Sequence, residues 1–250
     1  MNYCVSDILN EASAKRKGHL GTLNLALLAY GCIAISLAIP SMIIKVVGGE
    51  AGVSLVGTLF FDLVMSPLLL YPILVGLLCL GVDRARDGEI RVKSIFGHYN
   101  KMWSLYAAFI ICVIFYTVFG ILIAVAIALL SSAPTTTALI GLIIALAVLF
   151  AVYVGYLTSF VWLLIVDKGL GTISAYKHSV RTVWQRRNFW LLFKLTLMYT
   201  IWVSLGAFTL GIAYFWIIPR FIIAYGIVYR DLFDVEPEVS MTGGKMDATV

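Results

Sequence analysis

The sequence predicts an all-α, polytopic transmembrane bundle of about six helices, with amphipathic interfacial helices on its cytoplasmic side. Three observations lead there. Of the 250 residues, 62% are hydrophobic and only 12% charged, a balance far from that of soluble domains. Leu20 to Ile44, Leu105 to Leu130 and Ala138 to Val166 contain no Asp, Glu, Lys, Arg or His, and each exceeds the roughly 20 residues needed to cross a bilayer core. Basic residues gather in alternate connections, the pattern of a multi-pass chain with positive cytoplasmic loops.

Residues 1–19 form an N-terminal tail carrying Lys15, Arg16 and Lys17, and the membrane domain is expected to occupy 20–230. The first span, about 20–44, contains Cys32 but lacks the leucine three positions ahead of it that a lipoprotein signal requires, and its apolar run continues past the cysteine. It reads as an uncleaved first helix. The second segment, about 53–82, has one charge, Asp62, and two prolines, Pro67 and Pro72. It is too long for a simple crossing at about 1.5 Å per residue, and a break is expected near residue 66 because the residue before a proline avoids helical torsions. Residues 51–66 either cross the membrane or lie at the outer interface. Spans at about 103–130 and 138–166 follow. From Phe189 to Tyr229 the chain is apolar except for Lys194 and Arg220, twice the length of one crossing, so a hairpin with spans at about 189–208 and 211–229 is expected. Gly206 and Gly211 bracket its turn. Residues 231–250 read as a disordered C-terminal tail.

Lys45 is the only basic residue in the connections assigned to the outside. Both termini are therefore expected in the cytoplasm, with the stretch from Ser131 to Thr137 external. After Asp167, the apolar residues Ile173, Tyr176, Val180, Val183 and Trp184 recur at helical spacing opposite Lys177, Arg181 and Gln185, which predicts a surface-lying amphipathic helix. The second loop repeats that plan, with Val92, Ile95, Phe96 and Tyr99 opposite Arg91 and Lys93. Each leads to a tryptophan, Trp103 or Trp190, at the start of the next span.

Chemistry is sparse. Cys32, Cys79 and Cys112 lie in hydrophobic spans and Cys4 in the tail, so no disulfide framework is expected. His19, His98 and His178 are isolated, so no metal or other cofactor is expected. An enzyme ranks third among the functions considered, because no span holds a histidine to activate a nucleophile. The first is a membrane scaffold or adaptor acting through a basic cytoplasmic face formed by Arg91, Lys93, Lys177, Arg181, Arg186 and Arg187. Its partners would be membrane lipids, above all anionic headgroups, a protein or a second copy of the chain, with no role for nucleic acid. Ala151 and Gly155 are small enough for close helix contacts. The second is a small transporter or channel using the two intramembrane charges, Asp62 and Arg220. Entering from outside, the two would lie at one depth, about 13 Å, and could neutralise each other. The alternative has Asp62 at the outer interface and Arg220 snorkelling or bonded to exposed backbone carbonyls.

The carboxyl half carries an acidic residue after the fourth span (Asp167), Ala175 and Ser179 in the basic helix, Asn188 before the next span, Pro219 in the last span and a closing Tyr-Arg-Asp-Leu-Phe from Tyr229 to Phe233. With Ser66-Pro67, the basic loop after it and Phe96-Gly97, this resembles bacterial polytopic membrane proteins of unknown function related to the membrane domain of glycerophosphoryl diester phosphodiesterases. The resemblance covers most of the chain and implies a bacterial inner-membrane protein. The group has no agreed activity to bring with it, and the phosphodiesterase domain itself is not expected in these 250 residues.

Overall fold

In the computed structural model, residues 4–47, 57, 60–130, 137–209 and 211–234 are described. Among them the chain is helical and contains no strand. The helices are α1 (Val5–Arg16), α2 (Leu20–Val47), α3 (Ser66–Ala85), α4 (Met102–Leu130), α5 (Thr137–Leu157), α6 (Val161–Asp167), α7 (Thr172–Val183), α8 (Arg186–Ala207) and α9 (Tyr214–Phe233). Five described stretches are long and apolar enough to cross a membrane: Leu20–Pro40, Phe61–Ala85, Val92–Ala128, Leu139–Asp167 and Arg187–Ala207. The remaining long helix, α9, carries Arg220, Arg230 and Asp231.

The break expected near residue 66 takes the form of a π-helical turn, Phe61–Met65, that runs into α3 at Ser66. Pro67 has no N–H to donate, and it follows directly on this wider turn, in which the Ser66 N–H bonds to the Phe61 carbonyl five residues back. The core lies where α3, α6 and α9 meet. Ile73, Leu80, Val82, Leu163, Leu164, Ile223 and Ile227 are almost wholly buried there, whereas the described stretch of α4 from Ile114 to Ala128 and much of α5 are exposed. Those are the surfaces that hydrocarbon would cover.

The most extensive contact among the described residues, between α3 and α9, depends on missing side chains. A methyl group on Gly226 would run into the Gly81 carbonyl and lie 2.7 Å from the Val82 nitrogen, and one on Gly81 would strike Ile222. The two backbones touch, the arrangement by which helices associate where lipid removes any hydrophobic drive. Gly155 behaves differently: a methyl there would meet only the Tyr116 hydroxyl at 3.7 Å, and that hydroxyl donates to the Ala151 carbonyl at 3.3 Å. Ala151 and Gly155 thus seat a tyrosine of the same chain rather than a second backbone.

Three sequence expectations change. Residues 5–16 of the expected N-terminal tail are a helix docked on the bundle: Ile8, Leu9 and Ala12 are buried, chiefly against α9. Their spacing is too short a pattern to stand out in a polar segment, and only the groove on α9 gives it meaning. The second loop is not an amphipathic α-helix but two 3₁₀ turns, Val92–Phe96 and Tyr99–Lys101. Ile95 is fully buried, its backbone lies against Gly76 in α3, and the Tyr99 hydroxyl donates to the Leu69 carbonyl at 2.9 Å. A segment this short cannot meet the cost of nucleating an α-helix, and the slot at Gly76 draws it inward. At the other end, α9 runs on to Phe233, past the expected start of the C-terminal tail.

α7 keeps its charged residues Lys177 and Arg181 exposed. Its buried line is Ala175, Ser179 and Val183, with Tyr176 and Val180 half-buried and Ile173 and Trp184 exposed. The Ser179 hydroxyl donates to the Leu157 carbonyl at 2.8 Å, and the Tyr176 hydroxyl to Ala108 at 2.8 Å, with the Cys112 sulfur 2.9 Å away. Cys112 is therefore a polar neighbour of Tyr176 and more than a small apolar filler.

Candidate functional site

Charged residues converge where α3, α6 and α9 end. Arg86, which caps α3, holds Asp167 with both terminal nitrogens at 2.7 and 2.8 Å, and Asp234 through Nε at 2.6 Å and Nη2 at 2.8 Å. One guanidinium thereby forks two carboxylates, a geometry that a lysine cannot copy. Its carbon lies 5.9 Å from the centre of the Tyr229 ring, and the Tyr229 hydroxyl donates to Asp167 at 2.9 Å. Lys168 adds a 2.7 Å bond to Asp234. Asp167 and Asp234 sit at helix C-termini, where the macrodipole disfavours an acid, so a shared cation is what makes both tolerable. By donating to the two carboxylates, Arg86 holds its proton more firmly than usual. Burial pushes the Asp234 carboxyl up, but bonds from Arg86 and Lys168 outweigh it and hold the group below the usual carboxylate range.

A second set of bonds adds α1. Arg230 donates to Glu11 at 3.0 Å and to the Ala85 carbonyl at 2.7 Å, and pairs with Asp231 at 2.8 Å. Lys15 reaches Asp87 at 2.6 Å, and Arg84 donates to the Lys15 carbonyl at 2.7 Å. This clasp was not read from the sequence as a unit. Its one visible sign is an acid at the ends of the fourth and last apolar runs, and the partners lie 81 and 148 residues from Arg86 along the chain.

The basic residues singled out from the sequence lie outside the clasp. Arg91 is 80% exposed and pairs with Glu89 at 3.0 Å, Lys93 is exposed on the first 3₁₀ turn, and Lys177, Arg181 and Arg187 are exposed on α7 and α8. Arg186 opens α8, and its side chain lies outside the described part. The second loop packs mainly on α3 and α7 mainly on α6.

Asp62 and Arg220 line different cavities. Asp62 borders one with Tyr30, Ser66, Tyr71 and Phe109. Arg220 borders another, and its Nη2 and Nε donate to the Leu9 carbonyl at 3.2 and 3.4 Å. Leu9 belongs to α1, so Arg220 is tied to the N-terminal helix. The acceptor is a backbone carbonyl, and it belongs to α1, not to the broken segment. Among the described residues, no group of three or more His, Cys, Asp or Glu side chains is placed to hold a metal ion. The chain matches no family model, no curated protein and no solved structure.

Proposed function

We propose that this chain is a non-catalytic, multi-pass scaffold of the bacterial inner membrane, with both termini cytoplasmic, that gathers anionic partners through a basic cytoplasmic face. One observation carries the reading. Arg86, Lys168, Arg230 and Lys15 are engaged with acids in the clasp, while Lys93, Lys177, Arg181 and Arg187 remain exposed. Such a surface attracts anionic headgroups or an acidic protein, each cation near an anionic membrane being worth on the order of 1 kcal/mol. The clasp fixes the helix ends that carry these surfaces, as a scaffold requires.

Topology is the first check: a reporter fused to either terminus should read cytoplasmic, and an external signal at either end removes the proposal. Activity is the second. Cross-linked capture from native membranes by the intact chain should return protein partners that the Lys93→Gln, Lys177→Gln, Arg181→Gln, Arg187→Gln variant loses at least tenfold. The loss should shrink as salt shortens the Debye length. Equal capture by both chains, or solute flux in proteoliposomes containing the wild-type chain, would replace the scaffold with another function.

A further inference from the structure

A cavity of about 250 Å³ lies among α1, α8 and α9, with Arg16, Met198, Tyr199, Trp202, Trp216 and Arg220 in its wall. Two guanidiniums on one small apolar cavity are an unusual pairing. Arg16 donates through Nη1 to the Trp216 carbonyl at 2.8 Å, and Arg220 to the Leu9 carbonyl. Among the described residues neither meets a carboxylate. Each keeps N–H donors beyond those bonds, since an arginine offers five, and Arg16 is among the charges acting on Arg220. Like charges gathered beside low-dielectric walls are costly unless an anion joins them. The rest of the wall is aromatic and aliphatic. Trp202 is 47% exposed, Trp216 52% and Leu205 54%, so an apolar surface continues outward from the cavity toward the lipid.

We infer that this cavity binds an anionic phospholipid. The phosphodiester sits between Arg16 and Arg220, which offer it charge-assisted hydrogen bonds, and the acyl chains lie along Trp202, Trp216 and Leu205. Charge complementarity selects an acidic headgroup over a zwitterionic one, and the apolar outer wall selects a lipid over free phosphate. The site shares no residue with the exposed basic face.

Native mass spectrometry of the intact chain in detergent tests it, with phosphatidylglycerol and chain-matched phosphatidylcholine as probes. The wild-type chain should retain phosphatidylglycerol at one molecule per chain and phosphatidylcholine at least tenfold less. Arg16→Gln with Arg220→Gln should lower phosphatidylglycerol retention at least tenfold. Should the double arginine variant not fold, Arg16→Gln alone and the melting temperature of the wild-type chain still decide. Phosphatidylglycerol should raise that temperature and phosphatidylcholine should not. Equal retention of the two lipids, retention indifferent to the arginines, or displacement of the lipid by millimolar inorganic phosphate overturns the assignment.

Discussion

Gly226→Ala is expected to lower the melting temperature of the detergent-solubilised chain by about 10 °C, corresponding to about 3 kcal/mol at this chain length. The added methyl has nowhere to go, because its neighbours are the Gly81 carbonyl and the Val82 backbone, not the movable end of a side chain. Relief requires α3 and α9 to separate, and their contact is the most extensive one among the described residues. The usual benefit of alanine over glycine in a helix, about 1 kcal/mol, is too small to compensate. Gly81→Ala should behave alike for the reciprocal reason. Gly120→Ala, where the methyl would meet nothing within 4 Å, should leave the transition unchanged or raise it slightly. A Gly226→Ala transition equal to that of wild type would mean that the two helices are not in backbone contact.

Arg86→Leu should cost about 2 to 3 kcal/mol, at the low end of what breaking a buried ion pair costs. Water reaches this group, with side-chain exposures of 31% for Arg86, 19% for Asp167 and 23% for Asp234. The variant leaves two acids at helix C-termini with only Lys168 nearby, so adding Asp167→Asn should recover part of the loss. Arg86→Lys should lose most of the stability too, since one ammonium cannot fork two carboxylates. Acid should imitate the mutation. Asp234 has a folded pKa below its unfolded value, about 3.9 for a free aspartate. Its contribution is complete above that value and is lost as pH falls through the folded pKa. The wild-type melting temperature should fall as pH drops below about 5, with a shallower fall in Asp234→Asn. A pH-independent transition, or an Arg86→Leu chain as stable as wild type, would show the clasp to be ornamental.

Run length and charge were enough to define the all-helical class and the long apolar helices. The charge-free run from Leu105 to Leu130 became α4, and Ser66-Pro67 marked a real change of helical geometry. Period identified α7, because Lys177 and Arg181 lie one turn apart on a face that stays exposed. The same reasoning failed for Val92 to Tyr99, where the apolar spacing reflects a strip folded down onto α3. It failed again for α1, whose three buried residues are too few to register as a pattern.

Hydropathy and helical period are local properties, carried by residues within a turn or a bilayer's thickness of each other, and the sequence by itself therefore determined the helical class and its long apolar segments. Which charges meet is a long-range property. Arg86 has no sequence neighbour that reveals Asp167 or Asp234, Arg220 meets a carbonyl 211 residues away, and the apposition of Gly81 with Gly226 exists only after α3 and α9 have packed. Those pairings were decided by tertiary structure, because a long-range contact forms where three-dimensional packing leaves a charge unpaired or a backbone open to close approach.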